Sequence, residues 1–307
     1  MLANVQSFVG LLRFRSWVGW LAIFGVGSFI FGLPQISNVM VVAFVFSCIT
    51  SAVFVQNQYF DKETDKKNPQ KNMLPLAADD VSPKTSLLIM LILCGLGFII
   101  LAFFNPYLIP IFLAYFALWS AYSTPILHLK GKPILDLIVA GIGSGVFPFL
   151  IGLLAANQLS LDIHLPSVAR SYQDTFFCII PLFLFQVASQ IFQELRDFEA
   201  DVKDNIQTFV VRYGIKKSIR VATIMVFFAI SLPIIFGFLN LSLSNEFVLW
   251  YILVVIMMTP ILSRFVSLNK NPTKEKIDAL FNFSTKYTPV ILIILLTYIL
   301  VLRLHIS

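Results

Sequence analysis

The sequence predicts an all-α polytopic membrane protein with about nine transmembrane helices, and three observations carry that prediction. Of its 307 residues, 58% are hydrophobic and only 12% are charged, with a mean hydropathy of +0.86. Soluble domains are roughly half apolar and a quarter charged, and could not bury so much apolar surface. Apolar runs of about 20 residues, enough to cross a bilayer, recur along the whole chain. The basic residues fall almost entirely into alternate connecting segments.

In order, spans are expected near 17–36, 38–56, 86–104, 107–124, 134–155, 175–193, 218–239, 246–265 and 287–305. Arg13 and Arg15 precede an apolar stretch running to about Ile36, longer than a signal-peptide core, so it reads as the first span. No low-complexity segment or soluble domain interrupts the series, and residues 1–307 read as one integral membrane domain. Cys48, Cys94 and Cys178 lie inside apolar runs without metal-ligand or redox spacing, as packing residues do.

A formal charge of +6 raises the question of nucleic acid, but the Lys and Arg residues are divided among short segments rather than gathered in a patch. Membrane orientation explains them. With a cytoplasmic N-terminus, 20 of the 22 fall on the cytoplasmic side, leaving only Arg170 and Arg303 opposite. Membrane lipid, not nucleic acid, is the expected surrounding. The two long acidic segments then share the cytoplasmic face.

The first of these contains Asn57, Asp61 and Asp65, and the second Gln193, Asp197 and Asp201. Both have i, i+4, i+8 spacing, which lines three oxygen-bearing side chains along one helix face. Carboxylates four residues apart repel, so such rows call for a cation. Mg²⁺ takes oxygen ligands and is commonly shared between carboxylates and substrate phosphates. The alternative is two solvated helix ends of mixed charge, since Lys and Arg are interleaved with the acids. The second motif follows the sixth span, four spans after the first, and an even separation returns it to the same side, where the two rows can face each other.

At these residues the chain resembles the UbiA superfamily of intramembrane prenyltransferases. Asn57, Asp61 and Asp65 match the family's first motif, and Asp197 and Asp201 its second. Thr208-Phe-Val-Val-Arg212-Tyr-Gly214 is similar to the continuation of the second motif, and Tyr122-Ser-Thr-Pro125 with Lys130 to a segment between the two. The chain departs from the family at Gln58, at Arg13-Phe14 and at Leu74-Pro75-Leu76, where an expected Arg is missing and Lys71 is the replacement at hand.

The resemblance implies a UbiA-type helical bundle with a cytoplasmic-side active site. It implies Mg²⁺ held by Asn57, Asp61, Asp65, Asp197 and Asp201, with the four Asp residues catalytic. The implied partners are a polyprenyl diphosphate donor and a lipophilic acceptor. Lys130, Lys132, Arg212 and Lys71 are the candidate phosphate contacts, Gln193 and Asn57 further substrate-binding residues, and Tyr122, with Phe54 and Tyr115, candidate cavity walls. Asp136, at the start of the fifth span, reads as a helix-capping acid. A UbiA-like terpene cyclase uses the same metal and diphosphate residues. A transporter would carry acids nearer the bilayer midplane.

Overall fold

The computed structural model describes residues 5–30, 33–156, 165–238 and 245–306. These are helical with no strand among them, and the chain is an integral, multi-pass membrane protein. Each expected span coincides with a helix. Among the described residues seven helical segments are long and apolar enough to cross a membrane, or eight if the bent pair at the N-terminus is one span. The remaining expected span, 246–265, falls on α11. His164 lies outside the described residues, as do the side chains of Arg170, Arg303 and His305.

The chain begins with α1 (Val5–Leu12) and α2 (Phe14–Phe29), which meet at a 47° bend on Arg13. Arg13 takes a left-handed conformation (φ 50°), which breaks the helix there. Next come α3 (Ile36–Lys67), α4 (Pro83–Phe104), capped by the Ser82 hydroxyl, and α5 (Ile109–Ser123). The fifth expected span is α6 (Leu135–Gly141) and α7 (Phe147–Ala156), joined by a π turn over Ile142–Val146. Then follow α8 (Leu165–Lys203), the short α9 (Phe209–Tyr213), α10 (Ile215–Phe238), α11 (Asn245–Lys270) and α12 (Lys274–Ile306).

Helix length decides where the acids sit. At 1.5 Å per residue, the 32 residues of α3 span about 48 Å and the 39 of α8 about 58 Å, against a hydrocarbon core of about 30 Å. Their C-terminal turns, which carry the two acidic rows, project past the apolar layer. Both helices are central to a core. One cluster gathers Val42, Phe46 and Ile49 of α3 with Leu101, Phe112 and Tyr115. The other gathers Ala188, Ile191 and Phe192 of α8 with Ile219, Ala222 and Phe265. By contrast α4 is peripheral, with Leu88, Leu91, Ile92 and Phe103 turned outward as a lipid-facing side requires.

The closest helix approach is that of α2 on α7. A Cβ on Gly27 would collide with the Phe149 carbonyl, and one on Gly152 with the Phe24 carbonyl, so the two backbones touch there. Membrane helices associate through such small residues because lipid gives them no hydrophobic drive. The Ser28 hydroxyl adds a bond across the seam to the Gly152 carbonyl, 3.1 Å away. Gly152→Ala is therefore expected to cost about 1–3 kcal/mol through overpacking. Thermal unfolding in detergent measures this, and Gly95→Ala on α4, where a Cβ meets nothing within 4 Å, should leave the melting temperature unchanged or slightly higher.

Candidate active site

The four aspartates converge at one end of the bundle, and all are buried: Asp61 and Asp65 on α3, Asp197 and Asp201 on α8. Three connecting segments bring compensating groups to them. The segment after α3 folds back over the helix end, because Leu76 and Val81 are buried against Leu11 and Val55. At its outer edge Asp79 accepts from Lys62 and Lys66, both at 2.7 Å, and these two ammoniums hold its carboxyl down at about 2. That pinning directs Lys71 inward. Its ammonium lies 2.7 Å from Asp197 and 4.0 Å from Asp65, and so bridges the two rows.

A second segment, after α5, turns through left-handed His128 into a 3-10 turn that carries Lys130 to Asp61 at 2.6 Å. Burial pulls the Lys130 ammonium towards neutrality, but the Asp61 carboxylate outweighs it and holds the pKa above the ordinary lysine value. Asn57 completes this side, donating to Asp61 at 2.8 Å and to the Ser123 hydroxyl at 3.3 Å. On the other side Arg196 grips Asp197 at 3.0 Å while stacking on Phe281. Asp201 accepts from the Thr208 hydroxyl at 3.4 Å.

The site residues expected from the sequence divide into two groups. Asn57, Asp61, Asp65, Lys71, Lys130, Asp197 and Asp201 are brought together. Lys132 and Arg212 are exposed and form no ion pair among the described residues. Lys132 follows the 3-10 turn in extended backbone (φ −114°, ψ 104°). Arg212 lies one helical turn, about 6 Å, beyond Thr208. Gln193 also stands apart. It is exposed, and Gln190 takes the inward place, its amide donating to Tyr122 at 3.1 Å and to Glu194 at 3.3 Å. An i, i+7 step drifts only about 20° around a helix, half the drift of i, i+4, so Gln190 aligns with Asp197 better than Gln193 does. Tyr122 is a buried wall residue below the acids, edge-on to Trp119, which stacks on Trp20 beside Phe54. Tyr115 lies deeper, sharing a hydrogen bond with Thr50.

Sequence reasoning missed Arg196, Glu194 and Gln190. It also passed over Arg13, whose guanidinium lies over Phe54 within electrostatic reach of Asp65, Asp61 and Asp197. Among the described residues no three His, Cys, Asp or Glu side chains converge on one metal position. The donor set is instead two separate carboxylate pairs. That suits hard divalent cations which take one or two carboxylates each and fill the remaining positions with water or phosphate oxygen. The bridging Lys71 ammonium occupies the place where positive charge is needed between the pairs.

A family model described as the UbiA prenyltransferase family matches residues 16–286. The chain belongs to that family. It is 27% identical over 226 residues to a digeranylgeranylglyceryl phosphate synthase of Thermococcus sibiricus, covering 72% of this chain and 73% of that one. It is 25% identical over 229 residues to a lycopene elongase/hydratase of Corynebacterium glutamicum, covering 73% and 75%. A probable homogentisate phytyltransferase of Oryza sativa is 29% identical over 161 residues, 52% of this chain and only 41% of that relative. The fold matches a UbiA homologue from Archaeoglobus fulgidus bound to DMAPP and Mg²⁺, with TM-score 0.77, 17% identity and coverage of 97% and 99% of the two chains.

The Lys130–Asp61 pair is a buried ion pair, and removing one partner leaves an uncompensated charge. Lys130→Met is expected to cost the UbiA-family fold about 3–5 kcal/mol in a thermal melt, and Lys130→Met/Asp61→Asn to recover most of it. Because the Lys130 pKa is raised on folding, the pair's contribution is fully present below the unfolded lysine value near 10.4 and is lost only as pH rises through the still higher folded value. The Lys130→Met deficit should therefore be the same at pH 7 and pH 9.

Proposed function

We propose that this protein transfers a prenyl group from a polyprenyl diphosphate to a lipophilic acceptor in the membrane, with Mg²⁺ as cofactor. The observation that carries the reading is the pair of buried carboxylate rows facing each other across Lys71 at the end of an otherwise apolar bundle. Family membership and relatives named for prenyl transfer support it. So does the Archaeoglobus homologue, bound to a prenyl diphosphate and Mg²⁺.

In this reading Asn57, Asp61 and Asp65 on one side, and Asp197 and Asp201 on the other, would hold the metal. When bound, Mg²⁺ neutralises the diphosphate leaving group as a Lewis acid and template. Lys71 and Lys130, which meet Asp197 and Asp61 in the structure, are placed to turn to phosphate oxygens and stabilise the charge that develops as the allylic C–O bond breaks. Arg196 holds Asp197 in place. Below, the Trp20, Phe54, Trp119 and Tyr122 rings form an apolar wall that excludes water, and their faces favour the allylic cation until the acceptor attacks. The distribution of basic residues orients the N-terminus and the acidic rows to the cytoplasm.

The test is turnover of purified protein with Mg²⁺, radiolabelled prenyl diphosphates of several lengths and a panel of acceptors. Asp61→Ala and Asp197→Ala are each expected to reduce turnover by about 100-fold or more, the scale seen when one stabilising group is removed from a preorganised site. Full metal-dependent turnover in both variants would sink the site assignment. A cyclic hydrocarbon formed from the donor alone would replace transfer by cyclisation.

A further inference from the structure

A second pair of acids lies beside the four aspartates. Asp136, in the first turn of α6, is fully buried, and Glu194, one turn before Asp197 on α8, is nearly so. Among the described residues neither forms an ion pair. Asp136 accepts backbone N–H bonds on both oxygens, from Leu137 at 2.7 Å and from Phe209 at 3.4 Å. Glu194 accepts from the Val210 N–H at 3.1 Å and from the Gln190 amide at 3.3 Å. Its oxygens are therefore engaged away from the metal rows.

Phe209 and Val210 open α9, where backbone N–H groups have no partner within the helix. The residue before them, Thr208, caps the Val211 N–H and donates its hydroxyl to Asp201. One chain of bonds thus runs from α6 and α8, through the start of α9, to an aspartate of the second row. Apolar side chains would join α6 to α8 with a smaller desolvation cost. The distinctive contribution of two acids is directional: they fix the turn that orients Asp201.

We propose that Asp136 and Glu194 are positioning residues, a carboxyl clip that holds the Thr208 turn so that Asp201 faces Asp197 in the geometry a divalent cation needs. This rests on the reading of Asp197 and Asp201 as metal-holding residues. The two members should respond differently to amide replacement. Gln at position 194 keeps an oxygen to accept from the Val210 N–H, with the Gln190 amide flipped to match. Asn at position 136 has one acceptor for two backbone donors.

The test is Mn²⁺ binding, followed by electron paramagnetic resonance, with the purified protein and inorganic diphosphate. Glu194→Ala is expected to weaken Mn²⁺ roughly tenfold, Glu194→Gln to recover to within about twofold of the parent, and Asp136→Asn to stay weakened, as for groups that support metal ligands. Thr208→Val, which removes the last link without disturbing the buried acids, should show the same loss as Glu194→Ala and serves if that variant does not fold. Parental affinity in Glu194→Ala or Thr208→Val overturns the proposal, as does a Glu194→Gln variant no better than Glu194→Ala. If the parent binds no Mn²⁺, or Asp197→Ala binds it as tightly, the metal-site reading falls and the clip with it.

Discussion

Four carboxylates taken out of water within one cluster are the constraint to which this end of the molecule answers. Burial and mutual repulsion both disfavour their charge, and each must be offset by a partner of fixed geometry. The compensating groups come from segments remote in sequence. Lys71 arrives on the fold-back after α3, Lys130 on the turn after α5, and the Thr208 hydroxyl on the turn after α8. Each segment is itself fixed, by Leu76 in an apolar socket, by a left-handed residue at His128, and by the Asp136–Glu194 pair respectively. The connecting segments are thus part of the site, and their conformations follow from its charge.

Helix length turns the same constraint into a location. Because α3 and α8 outrun the hydrocarbon layer, the acids lie beyond its apolar core and the aromatic wall lies beneath them. An ion pathway would need its acids deeper, among discontinuous helices near the midplane. The π turn at Ile142–Val146 interrupts the fifth span, yet it brings glycines against neighbouring rings, Gly143 against Trp119 and Gly141 against Phe183. It serves close packing of the wall and carries no charge to the membrane interior.

The span pattern and the acidic rows were legible because each is a property of one helix. Apolar run length places the helices, and four-residue spacing places Asp61 with Asp65 and Asp197 with Asp201 on shared faces. Spacing could not choose between Gln193 and Gln190, because steps of four and of seven residues both return near the same face and the packing of α8 favours the latter. Nor could it find the Asp136 carboxyl beneath the Phe209 N–H, a contact across 73 residues of sequence. The exposed positions of Lys132 and Arg212 were illegible for a related reason. The path of short connections is set here by positive φ at non-glycine residues such as His128, Ile134 and Asn205, which no sequence pattern announces.

The distribution of cations also bears on the order of events in the proposed reaction. In the structure Lys71, Lys130 and Arg196 already neutralise much of the carboxylate charge, with Arg13 close by. A divalent cation arriving alone would displace ammonium groups from their carboxylates and leave them buried without partners. A diphosphate arriving alone would bring several negative charges to an acidic site. Arriving together, the two would resolve both difficulties: the aspartates would hold the metal, and Lys71 and Lys130 would turn to phosphate oxygens. Lys71 and Lys130 suit this exchange because they sit on flexible stems in connecting segments, while Arg196, rooted in α8 and stacked on Phe281, keeps Asp197 in place throughout.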